Sequence, residues 1–441
     1  MPHRAPWWTC CHMLTLPLLA CAVMQPGYTT AAASVFGIDA PELAAPGPFA
    51  VGVRTLSFVQ RDQPDVLAFD ARTGSAPRRD RTLRALLWYP AQPQPGSKAI
   101  TYQATLPSLT AAPVAFSIPG MAVSDAPVAG RDYPLVIISH GYSNAPEAMA
   151  WLAENLASKG YVVAAIAHDD PPITDVARYV GPILRRPLDI VFVAHSLRQQ
   201  LGAQHLINPQ RLALIGYSMG GYGVLTAAGA RFDPNSPLMS MVPGGLLVPY
   251  AGAQREAVVL SDVQAVVAIA PLGGGPRAAW GAQGLQGIRA PLLLIAGNRD
   301  HTVDYESGAH TFFTQATHAE RFLLTFKEAG HALALAPLPD AMRTRLWDLE
   351  WFEDPVWRKE RISGINAHFI TAFLDRYVKG DTTRAAYLEV ANPDSDAGAW
   401  DLPSPLPYDA YSPGDDKITV WKGFQRNHAA GLELLRAPAA R

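Results

Sequence analysis

Uninterrupted apolar runs alternate with helical segments through the middle of the chain. The runs at 134–139 (PLVIIS), 161–167 (YVVAAIA) and 211–216 (RLALIG) are almost free of polar residues. Such runs are typical of strands that are buried on both faces of a parallel sheet. Further runs of this kind occur at 263–270, 291–296 and 321–326, and helical periodicity occurs at 146–159, 187–201, 219–230, 308–316 and 365–378. This alternation predicts an α/β fold with a mainly parallel sheet and helices on both faces.

The first part of the domain has a weaker pattern. Residues 51–60 partly alternate and residues 83–89 form an apolar run that Pro90 ends, so both are predicted strands and raise the predicted strand count to eight. Residues 91–131 carry scattered prolines and glycines and indicate a long irregular excursion. Two later segments, about 232–262 and 337–360, interrupt the alternation and are predicted insertions on the substrate side.

The N-terminus has the order of a secretory signal. Arg4 precedes the apolar run 13–24, and an Ala-x-Ala site follows at 31–33. We therefore predict a signal peptide at 1–33, a Pro/Gly/Ala-rich linker at 34–50 and one α/β domain at 51–441. The run is too short for a stable membrane span. The pattern predicts export, to the medium or to the periplasm. Leu18 to Cys21 also resembles a lipobox, so a lipid anchor on Cys21 is an alternative to simple cleavage, and an uncleaved anchor is a third possibility.

Composition excludes several function classes. The chain has 49% hydrophobic and 17% charged residues and a formal net charge of −2. This balance excludes extensive disorder, a generally basic nucleic-acid-binding protein and a polybasic membrane-surface protein. The three cysteines, Cys10, Cys11 and Cys21, all precede the predicted cleavage site. A mature chain would therefore have neither a thiol nucleophile nor a cysteine metal site, and the sequence leaves its oligomeric state unknown.

The segment Gly216-Tyr217-Ser218-Met219-Gly220-Gly221 carries the strongest chemical signal. A predicted buried strand enters it and a helix of small residues leaves it. A serine that protrudes from such a tight turn needs glycines two residues before and two residues after it, because a Cβ atom there would clash. The N-terminus of the following helix favours negative charge developing at the site. Ser218 is therefore the predicted nucleophile.

A nucleophilic serine needs a base and an acid that orients the base. Asp300 follows the predicted strand 291–296, and His331 follows the predicted strand 321–326. The chain order serine, acid, histidine is the one expected for this architecture. Asp304 is an alternative acid, and His301 and His310 are alternative bases.

Backbone N–H groups are expected to hold the oxyanion. We assign this role to Met219, directly after the nucleophile, and to Tyr142 in the loop Ser139-His140-Gly141-Tyr142-Ser143. His140 is predicted to support that loop. The group His168-Asp169-Asp170 lacks a further ligand cluster, so we predict that it shapes a loop and binds no metal.

These motifs resemble the α/β-hydrolase superfamily, and within it the secreted bacterial esterases that are similar to dienelactone hydrolase and platelet-activating-factor acetylhydrolase. The resemblance rests on the segments 87–90 (LWYP), 139–141 (SHG), 216–221 (GYSMGG), 297–303 (GNRDHTV), 330–331 (GH) and 421–426 (WKGFQR). It implies a carboxylic ester hydrolase without metal or cofactor that acts on a small-molecule ester. True dienelactone hydrolases have a cysteine nucleophile, so Ser218 departs from them and their substrate is not carried over.

We therefore predict a secreted serine esterase that acts through an acyl-enzyme. A lipase or polyester hydrolase with an aromatic lid, and an amidase or peptidase with the same triad, are alternatives; a non-catalytic binding protein is the least favoured. Tyr142, Tyr217, Trp347 and Trp351 are the predicted substrate-binding residues. Alternatively, Trp347, Trp351 and Trp357 simply cover the sheet edge.

Overall fold

The computed structural model describes residues 36–106, 112–338, 352–397, 420–425 and 428–440. Twelve strands lie in these ranges: β1 (Ala50–Pro64), β2 (Arg78–Ala91), β3 (Thr101–Leu106), β4 (Val114–Pro119), β5 (Val123–Ser124), β6 (Tyr133–Ser139), β7 (Val162–Ala167), β8 (Ile207–Tyr217), β9 (Ala265–Ile269), β10 (Leu292–Gly297), β11 (Arg321–Phe326) and β12 (Leu432–Ala437). Ten of them form one sheet in the order β12-β11-β10-β9-β8-β6-β7-β2-β1-β5, and β3 pairs with β4 in a separate hairpin.

The centre of the sheet is parallel. Neighbouring strands from β7 through β6, β8, β9 and β10 to β11 all pair in parallel, and every residue of β7 and β10 is buried. Antiparallel β2 and β12 flank this core. The uninterrupted apolar runs therefore occupy the strands that helices cover on both faces.

The predicted count of eight strands is wrong for the described sheet. All eight predicted strands are present, but β5 and β12 add one strand at each edge. The excursion at 91–131 is also more regular than predicted, since it contains the β3–β4 hairpin. These strands are short, and several alternate polar and apolar residues, so they lack the continuous apolar signal of the central strands.

Eight α-helices lie in the described ranges: α1 (Ala150–Ser158), α2 (Val180–Ala203), α3 (Met219–Ala227), α4 (Pro237–Met241), α5 (Val248–Ala251), α6 (Thr311–Gln315), α7 (Lys359–Leu374) and α8 (Ala385–Leu388). The prediction began the second helix at Pro187, but α2 begins seven residues earlier and contains that proline. None of the helices within the described ranges is both long enough and apolar enough to cross a membrane.

The described part of the predicted linker packs on the domain. Ala44 is fully buried, and its carbonyl accepts a hydrogen bond of 2.8 Å from Asn155 of α1. The Leu43 N–H donates to Nδ1 of His368 in α7 at 3.1 Å. This segment therefore stabilises the contact between two helices on one face of the sheet.

Candidate active site

Ser218 occupies a strained turn between β8 and α3. Its φ of 53° and ψ of −115° are unusual for a residue with a side chain. A Cβ atom on Gly216 would lie 2.2 Å from the carbonyl oxygen of Gly220, and one on Gly220 would lie 1.9 Å from that of Ser139. The two glycines thus allow the close backbone approach that the turn requires.

The structure brings the predicted base and acid to this serine. Nε2 of His331 lies 3.0 Å from Oγ of Ser218, and Nδ1 of His331 lies 2.7 Å from Oδ2 of Asp300. The other oxygen of Asp300 accepts hydrogen bonds from the N–H groups of Thr302 (2.9 Å) and Val303 (3.1 Å). This geometry can carry a proton from the serine to the imidazole while the carboxylate stabilises the resulting charge.

Asp300 is suited to remain ionised. It is only 3% exposed, and this burial alone would raise its pKa. The charge and hydrogen bond of His331, together with the two backbone N–H donors, more than offset burial and lower the pKa below the ordinary aspartate value. The carboxylate therefore stays negatively charged at neutral pH.

The alternative residues lie elsewhere. Asp304 is exposed and accepts hydrogen bonds from N and Oγ of Ser307, at 2.7 and 2.8 Å. His310 lies 3.1 Å from Glu306, and His301 is exposed. None of these three has a described contact with Ser218.

The predicted oxyanion groups flank the nucleophile. Met219 is the first residue of α3, so its N–H has no acceptor within the helix. Tyr142 lies in the loop after β6 and lines the same cleft as Ser218. Its ring packs edge-on against Tyr179, with the ring centroids 4.9 Å apart.

A buried ion pair that the sequence did not reveal holds this loop. Arg186 of α2 is fully buried, forms a salt bridge with Asp170 and donates to the carbonyls of His140 (2.7 Å) and Gly141 (3.3 Å). Asp170 also accepts from the N–H of Ser143 at 2.9 Å. The pair thus binds the loop on both sides of Tyr142.

The histidines around the ion pair are structural. His140 hydrogen-bonds the Gly141 carbonyl at 2.7 Å, and His168 bridges Ser139 (2.9 Å) to Asp189 (2.9 Å). Burial, and then the charge of Arg186, lower the pKa of both imidazoles well below the ordinary value. Both rings are therefore neutral at physiological pH. Among the described residues, no group of His, Cys, Asp or Glu side chains is arranged to hold a metal ion.

We expect Arg186→Met to lower both stability and turnover. Asp170 would remain as a buried charge without its partner, which costs about 3–5 kcal/mol of unfolding free energy. A displaced oxyanion loop would lower kcat by about 10²–10³. Thermal melts and ester kinetics on soluble protein measure the two effects, with exposed Arg211→Met as control. Wild-type kcat in Arg186→Met would contradict a role in positioning the loop.

A second set of contacts fixes the loop that carries His331. The Gly330 N–H donates to Asp354 at 2.7 Å. Nζ of Lys359, which is 4% exposed, donates to the carbonyls of Ala332 (2.8 Å) and Phe352 (2.7 Å). The described part of the 337–360 segment therefore supports the base from behind.

We expect Lys359→Met to change the pH dependence of stability. Burial, opposed by nearby carboxylates, lowers the pKa of Lys359 to about 8. Between this value and the ordinary lysine pKa, near 10.4, the unfolded chain binds more protons, so the lysine makes stability rise with pH across this interval. The methionine variant should lose that rise and, at every pH, the two hydrogen bonds to the carbonyls of Ala332 and Phe352. Thermal melts from pH 6 to 10 test this; an unchanged slope would contradict it.

The cleft at Ser218 is narrow, with a volume of about 50 Å³. Of the predicted substrate-binding residues, Tyr142 and Tyr217 line it, whereas Trp347 and Trp351 lie outside the described residues. Trp357 packs edge-on against Phe326 and donates to the Lys327 carbonyl at 2.8 Å, so it covers the sheet edge. No residue of the described 232–262 segment lines the cleft. The wall of the cleft at Ser218 includes Tyr179, Leu272 and Arg277, which the sequence did not predict as site residues.

Two family models match overlapping parts of the chain. One, described as PET hydrolase-like, matches residues 120–243, and the other, platelet-activating factor acetylhydrolase, isoform II, matches residues 46–178. The solved structure of a ferulic acid esterase from Streptomyces cinnamoneus aligns with a TM-score of 0.54 over 77% of this chain and 94% of that chain, at 22% identity. Both family models and this solved structure support a relationship to the α/β-hydrolase esterases. The resemblance predicted from the motifs is thus confirmed.

Shorter alignments relate this chain to bacterial cutinases. It is 35% identical to Cutinase est1 of Thermobifida alba over 107 residues, which are 24% of this chain and 34% of the relative. It is 34% identical to Cutinase 2 of Thermobifida cellulosilytica over 109 residues, which are 24% of this chain and 38% of the relative. The chain thus spans little more than a third of the length of these relatives.

Proposed function

We propose that this α/β-hydrolase is a secreted carboxylic ester hydrolase that forms an acyl-enzyme on Ser218. The observation that carries the proposal is the continuous hydrogen-bond chain from Ser218 through His331 to Asp300 at a strained strand–helix turn. The cutinase relatives and the two esterase family models support ester hydrolysis.

In the first half-reaction, His331 accepts the hydroxyl proton of Ser218 as the serine oxygen bonds to the ester carbonyl carbon. The N–H groups of Tyr142 and Met219 hold the negative oxygen of the tetrahedral intermediate. His331 then gives its proton to the departing alkoxide, and the alcohol leaves. In the second half-reaction, His331 takes a proton from water as the water oxygen bonds to the acyl carbon. His331 then returns this proton to Oγ of Ser218 as the bond between Ser218 and the acyl carbon breaks, and the acid is released.

A fluorophosphonate probe tests this assignment directly. The probe should label the wild-type protein once, on the peptide that contains Ser218, as read by mass spectrometry. Ser261→Ala, at an exposed serine, is the matched control and should label normally, whereas Ser218→Ala should not label. Labelling of another residue, or undiminished labelling of Ser218→Ala, would overturn the proposal.

Polyester hydrolysis is a second candidate. The PET hydrolase-like model covers both the oxyanion loop and Ser218, and the aligned relatives are cutinases. Release of soluble products from a polyester film, compared with hydrolysis of short chromogenic esters, distinguishes this activity from that of a compact esterase. Paired ester and amide substrates separate an esterase from an amidase.

Secretion rests on the N-terminal pattern, which lies outside the described residues. The intact mass of exported protein distinguishes cleavage after Ala33 from a lipidated Cys21. Cleavage after Ala33 leaves a mature chain without cysteine.

A further inference from the structure

Arg277 brings an uncompensated positive charge to the wall of the catalytic cleft. It lies in the 3₁₀-helix Gly275–Arg277 and is partly buried. Its guanidinium donates to the Thr302 carbonyl and lies near the Tyr179 hydroxyl, and both of these groups are neutral. No Asp or Glu is among the described residues that line this cleft.

Other arginines buried in this part of the fold have carboxylate partners. Arg81 pairs with Asp189, and Arg186 pairs with Asp170. Removing a guanidinium from water is costly unless an opposite charge compensates for it. Because Arg277 has only neutral partners among the described residues, an anion that enters the cleft would gain both a charge interaction and hydrogen bonds.

A second polar group faces the same need. The hydroxyl of Tyr142 is buried without a hydrogen-bond partner in the described part of the chain. Burial, and then the nearby charge of Asp170, raise the pKa of Tyr142 to about 12, so the hydroxyl keeps its proton and can donate. A substrate oxygen in the cleft would satisfy a donor that is otherwise costly to bury.

We infer that the preferred substrates are carboxylic esters that also carry a carboxylate, such as half-esters of dicarboxylic acids, and that Arg277 binds this carboxylate. The inference rests on the proposed ester hydrolase function. A planar guanidinium suits a carboxylate, which it can bind through two parallel hydrogen bonds.

Two matched substrate pairs test the inference. Mono-4-nitrophenyl adipate against 4-nitrophenyl hexanoate places the carboxylate on the acyl side, and 4-acetoxybenzoate against phenyl acetate places it on the leaving group. The quantity measured is the ratio of kcat/KM for the anionic ester to that for the neutral ester, after correction for spontaneous hydrolysis. In at least one pair the wild-type ratio should exceed 1 and should fall as salt is added.

The variants identify the group responsible. Arg277→Gln should lower the ratio by roughly 10- to 100-fold, the value of one charge-assisted hydrogen bond. Arg277→Lys keeps the positive charge but not the two parallel N–H donors, so it should give an intermediate ratio. If Arg277→Gln folds poorly, Arg277→Lys tests the inference in its place. Arg289→Gln, at an exposed position, is the matched control and should keep the wild-type ratio.

Two results would overturn the inference. One is an unchanged ratio in Arg277→Gln for both pairs. The other is an equal loss for anionic and neutral esters, which would show that Arg277 only holds the Thr302 loop. Failure of the proposed function looks different, because then neither ester of any pair would be hydrolysed in a way that depends on Ser218.

Discussion

Ser218→Ala should lower kcat for a soluble ester by on the order of 10⁶ and leave the fold intact. The substitution removes the atom that attacks the carbonyl, whereas Met219 and Tyr142 would still offer their N–H groups to the substrate. A residual rate of about 10³–10⁴ over water is therefore expected from the oxyanion groups and from binding. Steady-state kinetics measure the loss, and thermal melts verify that the variant is folded.

Two comparisons make this result specific. Ser261→Ala should keep wild-type kcat, because its side chain is exposed and precedes β9, at the sheet edge opposite the strand ends that carry the site residues. His331→Ala, alone or combined with Ser218→Ala, should lose no more than the serine variant, because the two residues act as one unit. Near-normal turnover by Ser218→Ala would show that the nucleophile is another residue.

Asp300→Asn should lower kcat by on the order of 10⁴. Thr302 and Val303 donate two N–H groups to one oxygen of residue 300, so the amide oxygen of Asn would take that position. The amide NH₂ would then face Nδ1 of His331 and donate to it. The imidazole proton would move to Nε2, which could no longer accept the proton of Ser218.

Asp304→Asn is the matched control for this prediction. Asp304 is exposed and hydrogen-bonds Ser307, so its substitution should change kcat little. A large loss in Asp304→Asn with normal turnover in Asp300→Asn would exchange the two assignments. Acidification should not inactivate the enzyme through Asp300 until the pH falls below about 3.8, since its pKa is lowered from that value.

Sequence alone located the groups that follow strand ends. Ser218, Asp300 and His331 each lie within five residues of the end of a continuous apolar run, and parallel strands bring such positions to one edge of the sheet. The tight glycine spacing around Ser218 is a local requirement of the turn, so it is visible without knowledge of the fold. That is why three residues distant in sequence could be predicted to meet.

The residues that hold the loops of the site in place were not predictable in this way. Arg186 immediately precedes Pro187, a position that usually marks a helix boundary, yet it lies within α2 and points its charge at the oxyanion loop. Lys359 begins α7 and Arg277 ends a short 3₁₀-helix, and nothing in the sequence around either residue predicts which groups its side chain contacts. Such contacts depend on how separate elements pack, and the pattern of a single segment does not encode this.

Edge strands were missed for a related reason. The two-residue strand β5 has no buried residue, and only two of the six residues of β12 are buried, so their sequences lack long apolar runs. The apolar pattern therefore predicts the central strands of the sheet but not the strand at each edge.

The left-handed backbone at residue 218 has a consequence for engineering this enzyme. Holding a residue with a side chain in such a conformation costs about 1–3 kcal/mol, a penalty that glycine largely avoids. A laboratory selection that rewards only heat resistance would therefore favour Ser218→Gly and discard the reactive hydroxyl. Directed evolution of more thermostable variants therefore needs a screen for ester turnover at every round.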